Sequence, residues 1–379
     1  MRVGGTVAVV GVGATEQGKL PGRDADDIAI EALALALKDA GLGKDELDGL
    51  ITCKSAGGDS GLDSTIGRKA GMNPAFSATL DYGTCNFSLH LAAMAIVSGM
   101  ASTVALVYGT NQKTGRRFAF ARAPGDDGSP GDRYGFHHVA GPAALAFRRH
   151  QALYGTTETQ LGHIVVSSRK WAKNNPLAIF REDFSLDDYL ASPYLVRPLR
   201  RADVTMISDG GAALIVAAGE RASSFPKAPV YVLSAAQQTA LRGYQNDDQL
   251  LRPWLRDVAE RVYGDAGVAR KDVDLLYIQD PTSVWVLQML EWFGFCGVGE
   301  AGPFLETGAI EPGGPLPVNT NSGQLSEAYM WGWLHLVEAV RQLRGEAGPR
   351  QVAGSRVALS CSSKAFEKAA ATIIASEVP

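Results

Sequence analysis

Cysteine is scarce in this 379-residue sequence, and the spacing of its cysteines excludes the common uses of cysteine pairs. The four cysteines, Cys53, Cys85, Cys296 and Cys361, stand far apart and form no C-x-x-C pair. A zinc site within the chain is therefore not expected, because such sites draw on closely spaced ligands. Few, isolated thiols are typical of a reducing compartment, so we expect a cytoplasmic protein with no metal of its own.

The sequence also lacks a long hydrophobic segment and a strong excess of charge. The N-terminal stretch MRVGGTVAVVGVGATEQG has no signal-peptide core, and no window reaches the ~18 apolar residues of a membrane span. Lysine and arginine total 36 against 40 acidic residues, which gives a net charge of −4. We therefore expect neither nucleic acid nor a membrane as a partner.

What the sequence does have is a repeated alternation of strand and helix patterns. Its hydrophobic content of 46% and charged content of 20% are ordinary for a globular protein. The alternation runs through residues 1–222 and again through 228–379, which predicts an α/β fold with two duplicated halves. The likeness of ELDGLITCKS to DVDLLYIQDP is visible in the letters themselves.

The most informative stretch is residues 316–345, where an apolar strand end leads through a polar turn into an amphipathic helix predicted over 324–344. The same order recurs at 77–98, with a strand, the turn DYGTC and an apolar helix. A helix start offers unpaired N–H groups and the positive end of the helix dipole. Because such groups stabilise a carbonyl oxygen that gains negative charge, the pattern predicts one active site between the two halves.

The order of these motifs resembles the thiolase superfamily, most closely its sterol-carrier and lipid-transfer-protein branch. The resemblance rests on NTNSGQLSEAY at 319–329, GFCG at 294–297, KNNP at 173–176 and SDGGAA at 208–213. It implies a five-layer α-β-α-β-α fold with two helices buried between the sheets. It also implies coenzyme A as a substrate, a homodimer, and a small OB-fold, zinc-ribbon protein as a further subunit.

Two cysteines stand near the thiolase nucleophile and acid/base positions. Cys85 lies where a strand turns into a helix, and a thiol at a helix N-terminus ionises more readily. Its turn is shorter than the family's, so Cys85 lies either at the elbow or one turn inside the helix. Cys361 matches the acid/base cysteine of a C-x-G turn, although Ser363 replaces the glycine. The alternative for both is a buried residue that only packs.

The resemblance assigns further roles in the polar turn. Tyr329 occupies the position of the histidine that activates the thiol in thiolases, and related aldolases carry a catalytic tyrosine there. With a reference pKa of about 10, a phenol is a poor base near neutral pH unless that pKa is strongly depressed, but it donates hydrogen bonds. Asn319 and Asn321 are predicted to hold an oxyanion. The alternative for Tyr329 is a buried aromatic that packs on the central helices.

Residues 111–140, rich in Gly, Pro, Arg and Asp, are predicted to form a long loop over the active site. His138 in this loop is a candidate for the missing base, and the alternative is a solvated loop histidine. Arg200, in the basic stretch at 197–201, and Gly323 are the predicted contacts to CoA. The alternative for Arg200 is a solvated surface cation.

These motifs predict an enzyme that breaks or makes a carbon–carbon bond beside a CoA thioester in a degradative pathway. In the main interpretation, a thiolase, Cys85 attacks a β-ketoacyl-CoA, Cys361 protonates the released enolate, and CoA takes the acyl group. The alternative is a retro-aldolase on a bulky β-hydroxyacyl-CoA, without a covalent intermediate. A third hypothesis is a non-catalytic subunit that binds acyl-CoA in a heteromer. The cysteines favour the thiolase, whereas Tyr329 and the scarcity of histidines favour the aldolase.

Overall fold

Strands and helices alternate along the chain in two successive runs. The computed structural model describes residues 3–54, 61–81, 84–115, 139–240, 247–364 and 367–378. The strands are β1 Val7–Ala14, β2 Gly49–Cys53, β3 Phe76–Leu80, β4 Thr103–Asn111, β5 Tyr194–Val196, β6 Leu199–Arg200, β7 Asp209–Ala218, β8 Val230–Thr239, β9 Leu275–Ile278, β10 Val357–Lys364 and β11 Lys368–Ala375. The helices are α1 Ala25–Ala40, α2 Asp63–Ala70, α3 Cys85–Val97, α4 Ala140–Tyr154, α5 Glu158–Ala172, α6 Leu186–Ala191, α7 Leu255–Ala266, α8 Ser283–Trp292, α9 Ala301–Glu306, α10 Gly323–Ser326 and α11 Trp333–Leu343.

The sheet shows the duplication directly. Its strand order is β3-β2-β4-β7-β1-β8-β11-β10-β9, and the halves meet where β1 pairs with β8. Counted outward from that seam, the first half has the strands β1-β7-β4-β2-β3, and the second half has β8-β11-β10-β9 in the corresponding places. The place that corresponds to β3 is taken by Val318, which forms a parallel bridge to Leu276 of β9. Corresponding pairs also agree in direction, since β2–β4 and β9–β10 are parallel while β4–β7 and β10–β11 are antiparallel.

Two helices lie between the two parts of the sheet. Helix α3 packs on β2, β4 and β7 of the first half and on β10 and β11 of the second, and α11 packs on β1, β7, β9 and β10. On the outer faces, α1 covers β1, β4 and β7, and α7 covers β8 and β11. The predicted α-β-α-β-α layering is therefore confirmed. The apolar sequence of α3 suits its central position, because a helix buried on most sides needs no polar face.

The helix predicted over 324–344 is not continuous, and this prediction was wrong. The chain forms the short helix α10, leaves the helical path after Ser326, and starts again at Trp333. The cause is local, because Trp331 and Gly332 have φ angles of 52° and 82°, in the left-handed region that ends a right-handed helix. The segment between the two helices is buried, so its backbone lies deep between the halves.

No helix in the described part of the chain is both long and apolar enough to span a membrane.

Candidate active site

The central helices α3 and α11 begin beside each other. The Cys85 N–H donates to the carbonyl oxygen of Trp331 at 3.4 Å, which ties the start of α3 to the segment before α11. The hydroxyl of Thr84 lies 2.7 Å from that of Ser362 in β10. Gln279, just after β9, accepts an N–H from β10 through its Oε1 atom at 3.0 Å. We call this meeting point of Thr84, Cys85, Gln279, Trp331 and Ser362 the junction.

Cys85 lies at the elbow, because it is the first residue of α3. Its side chain is 0% exposed and belongs to an apolar cluster with Ile51, Cys53 and Leu89. Burial raises the pKa of the Cys85 thiol well above its ordinary value, and the nearby Cys53 thiol raises it further. The expected activation by the helix start is thus outweighed by desolvation, and these surroundings do not favour the predicted nucleophile.

Cys361 lies inside β10, paired with Ala371 and Ile278, and not in a turn after the strand. Its neighbours in the strand, Ser360 and Ser362, bond to the first residues of α3 and to its cap. Because side chains alternate along a strand, the thiol of Cys361 faces the outer helices, away from the junction. It is buried, and burial raises its pKa well above the ordinary value. This placement favours packing over acid/base work.

Tyr329 lies in the non-helical segment between α10 and α11. Its N–H donates to the Ser208 hydroxyl at 2.8 Å. The ring packs against Trp331 with centroids 4.9 Å apart, and the residue is 5% exposed. The carbonyl oxygen of Trp331 also accepts the Cys85 N–H. Tyr329 therefore packs directly against a residue of the junction.

Asn319 uses its side-chain amide to complete the end of β9. Its Oδ1 accepts the Ile278 N–H at 2.7 Å, and its Nδ2 donates to the Ile278 carbonyl at 2.9 Å. The residue has a φ of 51°, a left-handed value that asparagine tolerates better than most residues. The amide therefore acts as a strand neighbour, which leaves it poorly suited to the predicted oxyanion role.

Gly323 is required by the turn itself. Its φ is 64°, and a Cβ there would collide with Asp280 Oδ2 and lie 2.9 Å from Asn319 Nδ2. The Asp280 carboxylate caps α10, because it accepts the N–H groups of Gln324 at 2.7 Å and Leu325 at 3.2 Å. This close approach explains the glycine without the CoA contact predicted for it.

Asn321 belongs to a buried polar cluster. Its Nδ2 donates to Glu327 Oε2 at 2.5 Å, and Asn175 Nδ2 donates to Glu327 Oε1 at 2.8 Å. Burial raises the pKa of Glu327 to about 7, although the bonds from the two amides act in the opposite direction. Within the described residues Asn321 Oδ1 has no partner, so the free atom of this predicted oxyanion residue is an acceptor.

Gln324, which sequence analysis did not single out, reaches the junction. Its Oε1 accepts the Gly332 N–H at 3.3 Å. A Cβ on Gly332 would lie 3.6 Å from the side chain of Gln279, so both glutamines lie next to the same glycine. Gln324 is 1% exposed, and its Nε2 has no partner among the described residues. The sequence contained only a weak signal for this residue, namely a long polar side chain within the buried turn.

A pocket of about 480 Å³ opens beside α10. Three cations line it together with mainly apolar side chains: Lys113, Arg169, Arg201, Phe180, Leu195, Val204, Met206, Ile207 and Leu325. Arg169 connects the pocket to α10, since it donates to the Leu325 carbonyl at 3.1 Å and to the Ser326 hydroxyl at 2.9 Å. Burial lowers the pKa of Arg169 to about 10. The mixture of cations and apolar groups suits a ligand with both phosphate and acyl parts.

Arg200 is engaged within the protein. Its guanidinium lies 3.1 Å from Glu158 Oε2, donates to the Ser192 carbonyl at 2.8 Å and contacts the Tyr194 hydroxyl at 3.2 Å. Its neighbour Arg201 lines the pocket instead. These contacts do not support the CoA role predicted for Arg200.

His138 lies outside the described residues, as does most of the predicted loop.

Among the residues that the structure describes, no group of three or more His, Cys, Asp or Glu side chains is arranged to hold a metal ion.

Comparisons with known proteins agree with this architecture. A family model for thiolase C-terminal domain-like sequences matches residues 236–377. The chain is 35% identical over 359 residues to the 17-hydroxy-3-oxo-4-pregnene-20-carboxyl-CoA lyase of Mycobacterium tuberculosis, covering 90% of this chain and 92% of that protein. It is 34% identical over 359 residues to a steroid side-chain-cleaving aldolase of Thermomonospora curvata, covering 90% and 91%. A solved Ltp2-ChsH2(DUF35) aldolase superposes with a TM-score of 0.91 and 30% identity over 100% of both chains.

The chain belongs to the thiolase superfamily, in its sterol-carrier and lipid-transfer-protein branch. The predictions of the family and of an enzyme are confirmed, so the hypothesis of a non-catalytic subunit is not supported. These similarities support CoA-dependent carbon–carbon bond chemistry for this chain. They favour the predicted alternative, a retro-aldolase, over the main interpretation of thiolase-type acyl transfer.

Proposed function

We propose that this enzyme cleaves a carbon–carbon bond of a bulky β-hydroxyacyl-CoA by a retro-aldol reaction. The observation that carries the proposal is the state of Cys85, which is fully buried in an apolar cluster and has a raised thiol pKa. A covalent thiolase mechanism requires a thiolate that reaches the substrate. A retro-aldol reaction needs only a base and a site for the enolate.

The proposed reaction is balanced without a co-reactant. A base removes the proton of the β-hydroxyl, the carbinol carbon becomes a ketone, and the bond to the α-carbon breaks. The electron pair of that bond passes to the thioester as an enolate. The α-carbon then takes the proton that the base removed, directly or through solvent, which completes the released acyl-CoA and restores the base. We assign Tyr329 as the group that exchanges the hydroxyl proton, because it lies beside the junction in the broken segment. His138 remains the alternative base.

We place the CoA part of the substrate in the pocket beside α10. Lys113 and Arg201 line its wall, and their exposed side chains suit the phosphates of CoA. The apolar lining suits the pantetheine chain or the acyl group. In this arrangement the thioester passes α10 on its way to the junction, since Leu325 belongs to both the pocket and that helix.

The proposed assembly includes two further contacts. The solved relative is named as a complex with a DUF35 protein, and we propose the same kind of small OB-fold, zinc-ribbon subunit here. We also propose a homodimer through the edge strand β3, because Met94, Val97 and Met100 at the end of α3 are 48%, 58% and 57% exposed. All four cysteines are free thiols, which suits our assignment to the cytoplasm.

The direct test uses 17-hydroxy-3-oxo-4-pregnene-20-carboxyl-CoA as the probe, with the chain alone and with the DUF35 protein of the solved relative. Cleavage next to the carbinol carbon releases a steroid ketone and propionyl-CoA, both measurable by mass spectrometry. A β-ketoacyl-CoA with free CoA serves as the thiolase probe. We expect turnover of the steroid probe and no turnover of the β-ketoacyl-CoA. Turnover of the second with an acylated Cys85 peptide would overturn the proposal.

A further inference from the structure

The unpaired amide of Gln324 is the strongest unexplained feature of the junction. Its Nε2 is buried and has no hydrogen-bond partner in the described part of the chain. Leaving such a donor unpaired is destabilising, and most buried donors in folded proteins do have a partner. An unpaired buried donor therefore points to a partner that arrives from outside.

The orientation of this amide is fixed by chemistry. The Gly332 N–H can only donate, so the atom of Gln324 that faces it at 3.3 Å must be the carbonyl oxygen. The NH₂ group then points the other way, and a flipped amide would place two donors face to face.

The residue is also held rigidly. Its N–H donates to Asp280 Oδ1 at 2.7 Å, and its carbonyl accepts the Thr205 hydroxyl at 2.7 Å. Thr205 and the next residue, Leu325, both line the pocket. The backbone of Gln324 is therefore fixed between the pocket and the junction, which is the arrangement required of a preorganised donor.

The other two amides of the turn cannot serve as well. Asn319 exchanges two hydrogen bonds with the backbone of Ile278. Asn321 gives its Nδ2 to Glu327 and keeps only an acceptor atom free, and an acceptor repels a developing negative charge. Gln324 is thus the amide between residues 319 and 324 whose NH₂ group is entirely unpaired.

We propose that Gln324 is a further catalytic residue, whose Nε2 donates to the thioester carbonyl oxygen and stabilises it as the enolate forms. This inference rests on the proposed retro-aldol function. The same donor serves any acyl-CoA whose α-carbon becomes a carbanion, because the negative charge resides on the same oxygen.

The test compares Gln324→Glu and Gln324→Met with the wild-type chain in complex with the DUF35 protein. Gln324→Glu keeps the acceptor for Gly332 but replaces the NH₂ group with an oxygen, and Gln324→Met removes the donor without adding charge. Loss of one oxyanion donor lowers kcat about 10²–10³-fold, and we expect this for both variants with little change in KM. Gln238→Glu, on β8 with its side chain accepting from Arg261 of α7, controls for the added charge and should keep wild-type kcat.

A second measurement separates this inference from the proposed function. Exchange of the α-protons of propionyl-CoA in D₂O reports enolate formation without carbon–carbon cleavage, and both Gln324 variants should slow it as they slow cleavage. If the wild-type complex cleaves the steroid probe and exchanges these protons while either variant stays within about tenfold of it, the role of Gln324 is overturned. If the wild type does neither, the proposed function itself fails.

Discussion

The starts of the two central helices occupy equivalent places in the duplicated fold, yet they differ in chemistry. Helix α3 begins regularly at Cys85, and its thiol packs among apolar side chains. Before α11 the chain passes through left-handed Trp331 and Gly332 and buries amides and a carboxyl group. Backbone strain persists where the surroundings enforce it, and it is common at active sites. Duplication thus supplied two helix starts, while the groups that we propose for proton transfer and enolate binding lie at the broken one.

Replacing Tyr329 with phenylalanine should have the largest effect. A positioned acid or base is worth about 10²–10⁴ in rate, so we expect kcat for the steroid probe to fall by that factor. The ring contact with Trp331 remains, so the midpoint of thermal unfolding should stay close to wild type. Full activity in Tyr329→Phe would move the base to another residue and remove the main contrast between the two helix starts.

The paired variant Lys113→Gln/Arg201→Gln tests the pocket beside the second helix start. Loss of two charge-assisted contacts to phosphate should raise KM about tenfold or more and leave kcat nearly unchanged. The difference from wild type should shrink as salt is added, because exposed charges are screened. Lys38→Gln, on the exposed side of α1, is the matched control. An unchanged KM would place CoA elsewhere.

Glu327→Gln tests whether the second helix start carries a titrating group. The folded-state pKa of Glu327 is raised to about 7 from an ordinary 4.5, so the folded protein holds this proton more tightly than the unfolded chain. The stability it contributes is present at low pH and is lost as pH rises from about 5 to about 7.

Glutamine cannot ionise. Between about pH 5 and pH 7, the free energy of unfolding of the wild type should therefore fall by about 1–3 kcal/mol more than that of the variant. The measurement is chemical denaturation at several pH values. Burial also raises the pKa of Asp203 to about 6, but that contribution is common to both proteins and cancels. Parallel pH curves for the two proteins would contradict the assignment.

Cys85→Ala should have the smallest effect on activity. Because the thiol packs in an apolar cluster, we expect kcat within a few-fold of wild type and a loss of stability of about 1 kcal/mol. Iodoacetamide should likewise fail to modify Cys85 in the native protein. A collapse of activity in Cys85→Ala would make the two helix starts equal partners and restore the thiolase interpretation.

Much of the fold was predictable from local patterns. The hydrophobic periodicity of the sequence indicates a strand at 103–109 and a helix at 24–40, and these correspond to β4 and α1 within two residues. The sequence pattern over 247–267 also indicates one helix, but α7 begins only at Leu255, since Arg252 takes a φ of 57°. The break at 327–332 escaped prediction because the amphipathic pattern continues across it. Left-handed backbone at a tryptophan leaves no trace in periodicity.

For the candidate site, the sequence predicted the location but not the surroundings of each side chain. Spacing and resemblance led to Tyr329 and to both cysteines, but the side on which a thiol is buried depends on strand register and packing. The alternation that turns Cys361 outward follows from the pairing of β10 with β11. Whether the Gln324 Nε2 atom has a hydrogen-bond partner depends on the side chains folded around it, so this feature cannot be predicted from a sequence alone.

The seam between β1 and β8 has a consequence for biosynthesis. These strands share only two residue pairs, Ala8 with Tyr231 and Val9 with Val230, whereas the junction needs Ser362 from β10 near the end of the chain. As a ribosome makes the protein, the start of α3 emerges long before its counterparts in β9, α11 and β10. The proposed active site is therefore incomplete in every nascent or prematurely terminated product that stops short of β10.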